Sequence, residues 1–207
     1  MTGDTADRDA RARRRTWVAG GATLLLAALV GFVARFQLAQ FHYVKDVLWA
    51  AGALVLVIGI GRAGSVTGRR PLGTIVALLQ VLLASPPVAI YLSGLVPDDP
   101  GNPYAEEDAW GSVMFPYFAV IAVATIVAVL LIGFADALPR PWSWAPAWVL
   151  ALSALSGVAS VLLLSRTGSP DVAGRVLYEV PGVGMASLGV LAIVLGVRAA
   201  RTPEPNV

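Results

Sequence analysis

Apolar and polar positions along this chain fall into six long apolar runs parted by short polar or breaker-rich stretches. The runs cover residues 17–34, 47–61, 72–95, 112–134, 146–165 and 177–197. Crossing about 30 Å of hydrocarbon as a helix takes roughly 20 apolar residues. The pattern therefore predicts an all-α integral membrane protein, a bundle of six transmembrane helices. The second run is short for a crossing, so it should tilt little or borrow residues from the mixed stretch before it. That stretch, 35–46, interleaves Arg35, Gln37, Gln40, His42, Lys45 and Asp46 with Phe36, Leu38, Phe41, Tyr43 and Val44. Such a mixture suits a short interfacial helix or an extension of the first span.

The polar segments divide the chain. Residues 1–15 form a basic tail ending in Arg11, Arg13, Arg14 and Arg15, expected to be disordered with its basic end near anionic headgroups. The first apolar run lacks the small-residue cleavage pattern of a signal peptide, so it reads as a retained span. The acidic loop 97–111 carries Asp98, Asp99, Glu106, Glu107 and Asp108 and parts three spans from three. A short tail, 198–207, follows the last span.

Charge then orients the bundle. With both termini inside, the inner segments hold Arg8, Arg11, Arg13, Arg14, Arg15, Arg62, Arg69, Arg70, Arg140, Arg198 and Arg201, against Arg35, Lys45, Arg166 and Arg175 outside. Arginine and lysine resist translocation, so the expectation is cytoplasmic termini and an extracytoplasmic acidic loop. Trp17, Trp49, Trp110, Trp142 and Trp144 fall near span ends, where an aromatic belt sits. Arginine far outnumbers lysine, and with the abundance of Ala, Gly and Val this fits a high-GC genome and a bacterial plasma membrane. Three spans on either side of the acidic loop would allow an inverted repeat. The similar exits Val57-Ile58-Gly59, Leu131-Ile132-Gly133 and Val194-Leu195-Gly196 would allow three hairpins instead. Residue types this common match by composition alone, so neither repeat is adopted.

Composition supports the membrane reading and narrows the chemistry. The chain of 207 residues is 57% hydrophobic and 14% charged, against about 45–50% and 25% in soluble domains. With no cysteine, disulfides, thiolate catalysis and cysteine-held metals are excluded. One histidine, His42, excludes paired-histidine haem ligation and multi-histidine zinc sites. Lys45 is the only lysine and lies outside the expected spans, which speaks against a Schiff-base chromophore in the bundle. Neither a phosphate-cradling glycine-lysine loop nor a buried carboxylate pair is present. The basic segments are explained by the membrane rather than by nucleic acid. No cofactor and no metal site is expected; His42, Asp46 and the acidic loop form too undefined a ligand set.

The candidate positions are few. Gln80 is the most polar side chain deep in an expected span, and an amide in hydrocarbon needs a partner or a water-filled cavity. Ser85, Pro86 and Pro87 follow, where the prolines free backbone carbonyls and bend the helix. With Thr125 and Glu179 these residues form the candidate substrate pathway. Glu179, at the mouth of the last span, could exchange protons, although a helix-start acid favoured by the backbone dipole is the plainer reading. Ser153, Ser156, Gly157 and Ser160 on the fifth span, and Gly182, Gly189 and Gly196 on the sixth, are small residues at helical spacing, expected at tight helix contacts, with a polar pathway lined by the serines as the lesser alternative.

These features favour a non-enzymatic membrane subunit or accessory protein, with the lipid bilayer, a membrane-protein partner or a second copy of the chain as its contacts. The alternative is a small-solute carrier or the membrane component of an exporter with a separate energising subunit. A membrane-embedded lipid-modifying enzyme is disfavoured by the missing acid/base set.

Overall fold

The computed structural model describes residues 3–37, 40–60, 64–95, 105–135, 137–167 and 172–198. They form seven α-helices: α1 (Gly3–Gln37), α2 (Gln40–Ile58), α3 (Pro71–Leu83), α4 (Pro86–Ser93), α5 (Ala105–Gly133), α6 (Ala145–Thr167) and α7 (Val172–Arg198). No strand occurs among the described residues. Four of these helices are long and apolar enough to cross a membrane, or five when α3 and α4 count as one bent span. The chain is thus an all-α, multi-pass membrane protein. Large apolar side chains crowd its outer surface, with Phe115 77% and Trp148 67% exposed, a surface that only lipid or another apolar partner can cover.

Several boundaries differ from the sequence expectation. The basic residues after Gly3 are not a separate tail: they continue α1 as one helix of 35 residues, because Ala10, Ala12 and the arginines are good helix formers attached to an already nucleated span. The mixed stretch 35–46 is no independent interfacial helix. Its residues 35–37 end α1 and its residues 40–46 begin α2, which has 19 residues; residues 38 and 39 lie outside the described residues. At 1.5 Å per residue α2 is roughly 29 Å long, close to a full hydrocarbon thickness. Residues 97–104 of the acidic loop lie outside the described residues, and its remainder from Ala105 forms the first turns of α5.

The prolines act unequally. Pro116 and Pro181 sit inside unbroken helices. Pro86 and Pro87 together end α3, and α4 leaves it at 52°. Ser85 before them is extended at φ −78°, ψ 146°, as a residue preceding proline prefers. The carbonyls the prolines leave without donors are taken up locally. Tyr117 on α5 donates its hydroxyl to the Leu83 carbonyl at 2.6 Å, and the Ser85 amide bonds to the Leu82 carbonyl at 3.1 Å.

Packing follows a closed circuit. α1 touches α2, α2 touches α3, α3 touches α5, α5 touches α6, α6 touches α7 and α7 returns to α1; no described helix packs across the ring. The tightest joints flank α1. A Cβ on Gly21 would come 2.6 Å from the Gly189 carbonyl oxygen of α7, and one on Gly189 would come 2.7 Å from the Gly21 oxygen. On the other side, a Cβ on Gly52 of α2 would come 3.1 Å from the Gly20 oxygen. Consecutive glycines on one helix thus let two neighbours approach by backbone contact, the mode small residues permit in a membrane.

The last turn of α7 meets α1 at one end of the ring. Gly196 of α7 lies against Trp17 and the Arg14 carbonyl of α1. This terminal end is closed by the loop after α2. Thr16 Oγ1 accepts the Ile60 amide at 2.7 Å, and the Trp17 indole donates to the Gly64 carbonyl at 2.8 Å. Gly59 turns the chain at φ +77°, where a Cβ would meet the Ser65 amide at 2.7 Å. Ser65 and Thr67, both buried, share a hydroxyl hydrogen bond at 2.8 Å that continues from Thr67 to Thr74 of α3 at 2.7 Å. Arg70 donates to the Phe134 carbonyl at 2.9 Å, tying the loop to the end of α5.

Candidate functional site: two cavities among the helices

Two cavities open among the described helices, one toward each end of the ring. Toward the terminal end lies a cavity of about 200 Å³ whose wall draws on α1, α2, α3, α5, α6 and α7. Small side chains make the room: Ala53 on α2, Ala77 on α3, Ala128 on α5 and Ala192 on α7. Trp17, Leu138 and Trp142 stand at the loop side of it. Apart from its indoles the wall has two polar side chains, Gln80 and Thr125, and they are bonded to each other. Gln80 Nε2 donates to Thr125 Oγ1 at 3.2 Å, and that hydroxyl donates back to the Ile121 carbonyl at 2.8 Å.

Toward the opposite, far end lies a larger cavity of about 750 Å³ between α1, α2, α6 and α7. Its wall is of another kind. Lys45 and Asp46 form an ion pair, Nζ to Oδ1 at 3.1 Å, with side chains 33% and 38% exposed. The lysine stem crosses α1 at Gly31, where a Cβ would stand 2.9 Å from the Lys45 Cδ. Ser153, Ser156 and Ser160 of α6 and Tyr178 and Gly182 of α7 complete the polar part. Ser156 donates to the Ser153 carbonyl at 2.9 Å and Ser160 to the Ser156 carbonyl at 2.8 Å. With their protons held by their own helix, these hydroxyls have acceptor lone pairs left over.

Three residues belong to both cavities: Leu24 of α1, Trp49 of α2 and Leu188 of α7. Each lies near the middle of its helix. The partition therefore sits about halfway along the ring, with an apolar compartment on one side and a charged one on the other.

The sequence candidates are distributed unevenly over this arrangement. Gln80 and Thr125 are brought together on the near-end cavity. Ser85, Pro86 and Pro87 are at the α3–α4 break and line neither cavity; only Ala84 beside them reaches the far one. Glu179 lines neither cavity and stands two turns inside α7, which starts at Val172, so it is not a helix-start acid. Gly189 and Gly196 are at close contacts with α1. Ser153, Ser156, Gly157, Ser160 and Gly182 instead face the far-end cavity, and a Cβ on Gly157 would meet nothing within 4 Å. Lys45, read as outside the spans, is on α2 and on this cavity wall. The His42 side chain lies outside the described residues, among which no three His, Asp or Glu side chains gather as a metal would require.

Sequence reasoning missed the Gly20-Gly21 pair, the Trp49 partition, the Lys45–Asp46 pair as a cavity feature and the Thr16–Trp17 clamp. The tandem glycine in the middle of an apolar run was the signal for the first. For Trp49 there was none, since a tryptophan at a run's edge reads equally well as an interface anchor. No family profile, curated protein or solved structure matches the chain.

Proposed function

We propose that this protein is a small-solute carrier of the bacterial plasma membrane, with six spans and both termini cytoplasmic, its solute held on the axis of the helix ring. One observation carries the reading: two cavities, one toward each end of the ring, share Leu24, Trp49 and Leu188, at mid-helix, in their walls. Carriers hold their solutes near the bilayer midplane and expose them to one side at a time. The arginine-rich terminal end supports the cytoplasmic placement, and α2 with the bent α3–α4 pair supports the count of six. In this reading the far-end cavity opens outward, the Trp49 partition is the barrier, and Gln80 with Thr125 is the polar contact below it.

Side-selective thiol labelling tests this directly, because the chain has no cysteine of its own. Ser156→Cys puts one thiol in the far-end cavity and Ala53→Cys puts one in the near-end cavity. In sealed vesicles of either orientation, a membrane-impermeant thiosulfonate should reach Ser156→Cys from outside. It should reach Ala53→Cys from both sides, faster from outside once Trp49→Ala is added. Labelling of Ala53→Cys from one face only, unchanged by Trp49→Ala, would defeat the carrier and return the protein to a non-enzymatic membrane subunit.

A further inference from the structure

We infer that the ring takes a single-tailed amphiphile with a zwitterionic head, the head beside Lys45 and Asp46 and the tail passing Trp49 into the near-end cavity. This rests on the carrier reading for the use of the site, but the binding itself stands on the two cavity walls.

The head follows from charge. Lys45 and Asp46 are adjacent on α2, paired at 3.1 Å and both about two-thirds covered. A lone cation or anion would draw one partner away and leave the other uncompensated beside low-dielectric surroundings. A zwitterion offers each partner an opposite charge and brings no net charge. The serines add to this, since the acceptor lone pairs left to Ser156 and Ser160 suit an ammonium group.

The tail follows from size and polarity. Drug-sized ligands occupy cavities of about 300–1,000 Å³. The far-end cavity, about 750 Å³, falls in that range, and the near-end one, about 200 Å³, does not. A ligand using both must be slender at the near end. There the wall is apolar apart from the indoles of Trp17, Trp49 and Trp142 and the pair Gln80 and Thr125, whose hydrogen bond is made within the protein. From Trp49 to Val57, both on the near-end wall, α2 rises roughly 12 Å at 1.5 Å per residue. An extended chain covers that in about ten bonds, at about 1.2 Å per bond.

The test uses alkyl phosphocholines with tails from six to sixteen carbons, held below micelle-forming concentrations and added to full-length protein in lipid nanodiscs. Uptake in excess of empty nanodiscs is expressed against the amphiphile's concentration in the bilayer, because partition into lipid alone grows with every methylene. Affinity on that scale should peak near ten carbons and fall by about tenfold at sixteen. A flat or steadily rising series overturns the inference without any mutation. Lys45→Gln and Asp46→Asn should each weaken the ten-carbon phosphocholine about tenfold and leave a ten-carbon maltoside unchanged; equal loss for both heads overturns the zwitterion assignment. Ala53→Phe should move the optimum to a shorter tail. A chain-length optimum together with one-sided labelling of Ala53→Cys would leave the site standing and remove the carrier; two-sided labelling with no optimum would do the reverse.

Discussion

The two ends of the helix ring use the same residue types to opposite effect. At the terminal end glycine and hydroxyl residues are consumed by packing: Gly21 meets Gly189, Thr16 and Trp17 clamp the loop after α2, and Ser65, Thr67 and Thr74 bond in a chain. At the far end Gly157, Gly182, Ser153, Ser156 and Ser160 border open space. A small residue permits close approach but does not compel it. What stands opposite decides whether the gap is filled by a backbone or left as a cavity. The loop clamp at one end is therefore closed by packing, whereas the small residues at the other border open space.

The sharpest way to break this comparison is to add one methyl group at each end. Gly21→Ala drives a Cβ to 2.6 Å from a backbone oxygen of α7, which only a helix shift can relieve. It should destabilise the detergent-solubilised protein by about 1–3 kcal/mol. Gly157→Ala meets nothing within 4 Å and should be neutral or stabilising by up to about 1 kcal/mol from helix propensity. Thermal midpoints by size-exclusion recovery measure both; equal losses would mean that the far end is packed too.

Smaller, and confined to the terminal end, is a pair of hydroxyl deletions. Thr16→Val keeps the shape but removes the acceptor of the Ile60 amide, and should cost about 1–2 kcal/mol. Hydrogen exchange at Ile60 should quicken. Ser143, in the turn before α6, is fully buried and its hydroxyl has no hydrogen-bond partner among the described residues. Ser143→Ala should then be neutral or mildly stabilising, since it removes an unmet polar group. A loss there equal to that of Thr16→Val would contradict the bonding described.

The smallest effect is expected where the ring is bent. Tyr117→Phe leaves the Leu83 carbonyl without its donor, at a cost of about 1 kcal/mol or less. Its signature is geometric: the distance distribution between spin labels at Leu79 and Tyr91, both on the exposed surface, should broaden. An unchanged distribution would assign the 52° bend to the prolines alone.

Much of this architecture was legible in the chain. The apolar runs located the helices because a backbone in hydrocarbon must satisfy its own hydrogen bonds. Pro86-Pro87 located the break because two successive residues lack a donor. Gln80 stood out because an amide in a span must find a partner; Thr125 is grouped with it on the candidate pathway, but only the fold shows the hydrogen bond between them, 45 residues apart. Lys45 and Asp46 were read as interfacial because a run-length rule trims a span at its charges, whereas α2 carries both on its cavity side.

The sequence by itself determined that this is a helical, multi-pass membrane protein, where its helices lie, where one of them breaks and which chemistries it lacks the residues to perform. These are local properties, set by each segment's own hydrogen bonding and transfer energy. Only the tertiary structure decided the order of helices around the ring, the cavities, the partition at Trp49 and which small residues pack and which face space. Those depend on what lies across from a residue, and contacts between distant segments leave no period or spacing along the chain.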